Sequence, residues 1–369
     1  WVSSANARFG DGSRFVYFQE HELLNEDKSI KVAPLAILWQ DDETKTPYTL
    51  TAESAHLDAT TKFRLETNQF GEISSGQLRG DVRITGPDGL RIEGRSFSVT
   101  DKALKILSSQ PVKFWWGTHS GIAHGGAEIE LLSSGDVKQQ GLMSITDVQR
   151  IRLLGRVSCD LFFPDDDPKN EAIKLRISAA NGFEFFVPTH EATFFGFSDR
   201  ELRKDNQILV ERQTASGAMD QLFCSKLTLQ LQPVVREPDA KQQSSAQLQL
   251  SSIQAEGPRV IFRSSEQNVT ATMNRLKYYI EERVMELAGS VTATTGRQKP
   301  VQIHQKGSML TSSRIVVVHD ADNQIQTIRC LGSGQIGRSD SPSAPETREA
   351  TIDAFWTESL IVRQFPEQK

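Results

Sequence analysis

The chain has 369 residues, 37% of them hydrophobic and 24% charged, with a net charge of −5. Such a composition can form a core, and the length holds two or three domains or one long β structure. The acidic balance argues against a general nucleic-acid binder, whose domain is expected to be basic, and no run approaches the roughly 20 apolar residues of a membrane helix. The sequence opens at Trp1 without a Met, so an upstream export signal or anchor is compatible with it.

Residues 1–46 contain two strand-like runs, 15–18 and 32–39, split by the charged stretch 20–28, and 41–47 reads as a turn. From 48 to 132 short strand-like runs follow one another, with breaks at 86–89 and 108–111. Asp88-Gly89, between Val82/Ile84 and Leu90/Ile92, is a hairpin signal. A second block runs over about 137–235, and its loop 164–168 is too polar and proline-bound to be other than a turn. Residues 234–247 read as a linker or long loop. A third block runs over 248–337, with a flexible excursion at 338–348 and a last strand at 354–362. The expected organisation is therefore a lead-in at 1–46, β units at 47–133, 134–235 and 248–337, a linker at 236–247, and a loop and final strand at 338–369. One segment competes with the β reading. Met273, Leu276, Ile280, Val284 and Leu287 have the spacing of an amphipathic helix, whereas Leu276/Tyr278/Ile280 alternate and Glu281-Glu282 makes a turn; a hairpin is favoured.

Two patterns recur. Three stretches read Leu-x-Gly-x-Val: Leu78-Gly80-Val82, Leu153-Gly155-Val157 and Leu287-Gly289-Val291. Mostly polar residues lie between, so each reads as a strand with one buried and one wet face and a glycine at its centre. Five pairs of apolar anchors also stand five residues apart: Ala52/Leu57, Ile92/Phe97, Leu222/Leu227, Ala271/Leu276 and Leu310/Ile315. Five is odd, so both members of a pair can be buried only if a bulge or bend lies between them.

Local catalytic signatures are weak. The segment 332–337 matches GxGxxG, but the dinucleotide motif requires a following helix, and Ser339–Pro345 cannot open one. His119 and His124 stand near Trp115 and Trp116 with no carboxylate to complete a metal set, which leaves a solvated turn or an aromatic edge for sugar or lipid. Asp165–Asp167 lack the calcium-loop spacing. Cys159, Cys224 and Cys330 are far apart and without CxxC, and read as small apolar core residues, with one disulfide as the alternative. No metal or cofactor is expected.

The segments 54–58, 78–84, 89–99 and 105–112, with 271–278 and 287–291 and, with gaps, 153–157 and 220–229, resemble the periplasmic lipopolysaccharide-export family, the OstA-like bridge proteins and their LptC-type anchored relatives. The resemblance spans roughly 50–335 in about three copies. It implies an all-β fold of repeated antiparallel β-jellyroll (β-taco) units with little or no helix, whose inner faces form a groove for acyl chains. The groove lining it implies is Leu78, Val82, Ile84, Ile92, Phe97, Val99, Leu153, Val157, Leu222, Leu227, Leu229, Leu276, Leu287, Val291, Leu310 and Ile315. It further implies a non-enzymatic, periplasmic lipid-handling protein. Its partners would be lipopolysaccharide or another acylated envelope lipid, and other β-jellyroll export proteins joined by edge-strand addition. A structural β-scaffold with a filled core is the alternative. A carbohydrate-active enzyme would need two converging carboxylates near Trp115 and Trp116.

Overall fold

The computed structural model describes residues 7–10, 14–40, 47–67, 73–100, 105–133, 145–163, 173–197, 207–214, 216–233, 248–291, 298–320, 325–338 and 353–363. These residues are overwhelmingly β, every strand pair is antiparallel, and the helical segments among them are single 3-10 turns at Leu65–Thr67, Pro87–Gly89 and Val187–Thr189. The segment 273–287 is a hairpin: Val269–Tyr279 pairs with Val284–Ala288. The Asp88-Gly89 turn joins Ile73–Thr85 to Arg91–Thr100. The loop at 164–168, the linker at 236–247 and most of 338–348 lie outside the described residues.

The charged stretch after Phe18 does not end its strand. Arg14–Leu24 runs straight through Glu20, His21 and Glu22, and the turn occupies only 25–28. Those three residues are exposed, and over 20–24 the strand has Ser29–Gln40 as its partner among the described residues. Charge on such an edge costs little and discourages further pairing.

Two compact units emerge. One comprises residues up to Leu161 together with Gly182–His190; the other comprises Phe162–Asn181, Glu191–Gln232 and residues from Leu248 onward. The division interleaves within the middle block, and the second unit takes up the chain again at Leu248.

In the first unit, long strands change partner part-way. Residues 29–32 pair with Ser54–Ala59, and 35–40 pair with Pro47–Ala52. Those two strands pair in turn with the two halves of Ile73–Thr85. Arg91–Thr100 then passes one half to Lys105–Ser108 and the other to Val112–Trp116. Two ladders, or walls, result, and the chain crosses between them at a corner. The second unit repeats the scheme. Residues 261–264 pair with Met219–Cys224 while 252–256 lie in the other ladder, and Val269–Tyr279, Ser308–His319 and Ile325–Arg338 each divide between two partners in the same way.

The corner explains both sequence patterns. Every odd-spaced pair straddles it, at Glu53, Gly94-Arg95, Ser225, Asn274 and Ser313. A strand that changes wall must exchange its inward parity, and an odd step does so. Eight of the ten anchors are buried; Leu222 and Leu310 are half-exposed. The Leu-x-Gly-x-Val stretches mark the same place, but only the first is one continuous strand. There Gly80 and Asp81 together oppose Arg95, a β-bulge, with Gly80 at φ +79°. In the second stretch Gly155 lies in the link between Ile145–Leu153 and Val157–Phe163, and in the third Gly289 separates Val284–Ala288 from Ser290–Val291. The glycine ends or kinks a strand because backbones converge at the corner and not because the sheet curves smoothly. Gly126 makes this concrete: its φ is +101°, and a Cβ there would stand 1.9 Å from the Ser108 carbonyl oxygen.

Candidate functional site: an apolar trough in the second unit

Alternation places one parity of each strand inside. In the first unit that parity is sealed. Phe18, Leu57, Leu78, Ile92, Phe97 and Val99 are all at most 2% exposed. Each such side chain contributes roughly 1.5–3 kcal/mol by leaving water. A void of about 10 Å³ remains, bounded by Ile37, Trp39, Leu50, Leu57, Leu78, Val99 and Ile106. That is about the threshold for one water molecule and far below the roughly 300–1,000 Å³ of a small-molecule pocket. Trp39 Nε1 has no hydrogen-bond partner among the described residues, and its ring stacks on Tyr48 with centroids 5.4 Å apart.

Leu78, Val82, Ile84, Ile92, Phe97, Val99, Leu153 and Val157 therefore form a packed interior. The outer face of the same unit is charged. Arg150 donates to Glu130 at 2.7 Å and to Glu184 at 2.7 Å, and Lys105 bridges to Glu128 and Glu130. Trp115 lies beneath the Arg91 guanidinium, 4.8 Å from ring centroid to Cζ, and Trp116 packs against Phe185. Glu93, beside them, is ion-paired with Arg83 and Arg91. His119 is half-buried, and that burial lowers its pKa; His124 is exposed. No cluster of metal-ligating side chains occurs among the described residues.

The second unit differs. Near its corner the inward residues are buried: Leu227, Leu229, Leu276, Leu287 and Ile315, with Val260, Met273, Val301, Cys224 and Cys330. Farther from the corner many inward positions become half-exposed, while Val317, Asp220 and Ser264 stay buried. Leu222, Phe262, Ile303, Leu310 and Ile336 occupy one wall, in register across successive strands. Ile253, Tyr278, Met285 and Ile328 occupy the other. The inward face thus runs from a packed floor at the corner to partly exposed apolar positions on both ladders. Ser290–Val291 pairs with Gln298–Lys299 in a separate two-stranded ladder.

The last rungs are the most open. Ser359–Arg363 and Ala354–Trp356 pair with Ile325–Arg338 alone among the described residues, and Phe355, Ile361 and Val362 are 77%, 53% and 47% exposed. The rim carries charge at inward positions. Arg212 continues the parity of Ile208 and Val210, and Asp220 that of Cys224 and Leu222; the two residues oppose each other in the ladder. Arg212 Nη2 donates to Asp220 Oδ2 at 2.6 Å. On the facing wall stand Tyr278, Arg283 and His319, with the Tyr278 and His319 rings edge-to-face at 6.3 Å. Burial raises the Tyr278 pKa, and the charges of Arg283 and Arg212 oppose that rise, so Arg212 stands near the tyrosine. Sequence reasoning missed this rim. The available signal was an arginine and an aspartate on the apolar parity of adjacent strands.

The three cysteines are free and buried at strand positions. The segment 332–337 lies within Ile325–Arg338, so its GxGxxG opens no helix. Comparison with protein-family models and with curated proteins gives no match to this chain.

Proposed function

We propose that the chain is a non-enzymatic amphiphile-binding protein of a Gram-negative-type cell envelope. It holds acyl chains of lipopolysaccharide or a similar lipid between the walls of its second unit and passes them to other envelope components. What carries the reading is the exposure gradient of that unit's inward face, from a buried floor at Ile315, Cys330 and Val301 to half-exposed walls at Leu222, Phe262, Ile303 and Leu310. A half-exposed apolar wall loses little on opening and gains about 0.8 kcal/mol for each lipid CH₂ it covers. The exposed terminal strands offer an edge for strand addition by a similar β protein, the periplasmic partner class that the sequence resemblance implies.

The test is site-specific photocrosslinking. Benzoylphenylalanine at Phe262, Leu310 or Ile303 should capture a radiolabelled fatty acid, and the same group at the outward Arg263 or in the sealed interior at Val99 should not. Equal labelling at inward and outward positions, or none anywhere, overturns the proposal. The sealed interior of the first unit favours a second reading for that part, a structural β-scaffold that serves through its edges.

A further inference from the structure

Asp220 is 7% exposed, and its Oδ1 has no hydrogen-bond partner among the described residues. Its other oxygen accepts from Arg212 Nε at 3.2 Å and Nη2 at 2.6 Å. A buried carboxylate oxygen without a donor costs about 1–3 kcal/mol or more, so the position invites one. Ser264 is opposite Asp220 in the next strand and also buried, and its Oγ accepts from the Gln267 N–H at 3.4 Å. The register sets Asp220 directly beyond Leu222 on the inward face, so the orphaned oxygen sits at the lip of the apolar wall.

The chemistry of the donor follows from charge. Arg212 already neutralises Asp220. An ammonium would bury a further net charge, whereas a hydroxyl fills the vacant lone pair without one. Arg212 is half-exposed along its side chain and can donate outward to an acceptor on the same ligand. Tyr278 stands on the facing wall with His319 edge-to-face against it, within reach of the charges of Arg283 and Arg212. The nearby acids Glu281 and Glu282 are exposed on the turn, and Glu281 accepts from Gln232 at 2.7 Å.

We infer that Asp220, Arg212 and Tyr278 form a headgroup site for a polyol- or sugar-headed amphiphile, with Asp220 Oδ1 accepting a headgroup hydroxyl while the tail lies on the wall below. The inference rests on the proposed acyl-binding trough and adds which head that trough selects.

The experiment compares amphiphiles with one tail and different heads, below their micelle thresholds, by isothermal titration. These are octyl glucoside, octylphosphocholine and octylammonium. Wild-type protein should bind octyl glucoside about tenfold or more tightly than octylphosphocholine, the worth of one hydrogen bond to a charged group. The double replacement Arg212→Met with Asp220→Leu exchanges the pair for apolar groups, which is usually tolerated. It should bring octyl glucoside down to the octylphosphocholine level. Asp220→Asn, the conservative variant, presents an amide where the acceptor was and should lose most of the preference. Failure of all three amphiphiles to bind refutes the trough itself. Equal binding of all three, with no response to either variant, leaves the trough standing and refutes the headgroup site, Asp220 then holding only a water. Preference for octylammonium refutes the hydroxyl assignment.

Discussion

Leu78→Ala measures how tightly the first unit is closed. Leu78 is fully buried and borders a void of only about 10 Å³. The substitution removes three carbons, about 2.4 kcal/mol at roughly 0.8 kcal/mol per group. Neighbours that are already close-packed cannot collapse into the space, so a cavity contribution adds to this, and the expected total is about 3–5 kcal/mol. Leu310→Ala, on the half-exposed wall of the second unit, should cost about half as much, and Val362→Ala, 47% exposed on the terminal strand, under about 1 kcal/mol. Urea unfolding gives these values as midpoint shifts at constant m. Far-UV circular dichroism and tryptophan fluorescence should be followed together, because two units need not unfold as one. If Leu78→Ala cost no more than Leu310→Ala, the sealed-against-open distinction between the units would be wrong.

Three other outcomes follow from the same geometry. Gly126→Ala should cost several kcal/mol, since its Cβ meets the Ser108 carbonyl at φ +101°, while Gly217→Ala, at φ +82° with nothing within 4 Å, should cost only the left-handed strain of about 1–2 kcal/mol; equal midpoint shifts would remove the corner argument. Hydrogen bonding from Arg150, then from Lys105, holds Glu130 down to about 2 from an ordinary 4.5. A depressed carboxylate stabilises fully above its unfolded pKa and loses that contribution as pH falls from about 4.5 towards 2, so Glu130→Gln should be less stable than wild type at pH 7 and converge with it near pH 2, a gap that persisted at pH 2 counting against the pairing. Burial pushes the Cys330 thiol up to about 11 and Cys224 higher still, so a thiol reagent at pH 8 should label neither in the native protein and both in urea; labelling of native Cys330 at the rate of a free thiol would contradict its burial.

The wall strands were legible because period-two alternation is strong wherever one face is dry, as at Ser54–Ala59 and Lys105–Ser108. The corner was half legible. Odd spacing demanded a bend at Ala52/Leu57 and its four counterparts, and the structure has one at each. The glycine pattern misled on one point, because Leu153-x-Gly-x-Val157 looks the same whether Gly155 lies inside a strand or between two. Charge also misled: Glu20–Glu22 resemble a break, yet an edge strand accommodates them. The rim was illegible for a different reason. Arg212 and Asp220 are eight residues apart on strands whose pairing brings them together, and neither residue alone carries a motif. The void beside Leu78 depends on how seven side chains from several strands fit, which no linear pattern encodes.

On the proposed reading, the contrast between the units decides where an acyl chain would lie. To admit one beside Leu78 and Val99, the first unit would have to break contacts worth about 3–5 kcal/mol per large side chain, and each covered methylene returns about 0.8 kcal/mol. An eight-carbon tail would gain roughly 6 kcal/mol by that measure, about what displacing two such side chains costs. The second unit faces no such opposition. Leu222, Phe262, Ile303 and Leu310 are already partly exposed above a packed floor. A tail laid there would gain most of its burial, and the proposed headgroup site would place its polar head by Arg212, Asp220 and Tyr278. On the proposed reading, the closed and externally charged first unit would take no lipid, and the choice of lipid would fall to the rim of the second.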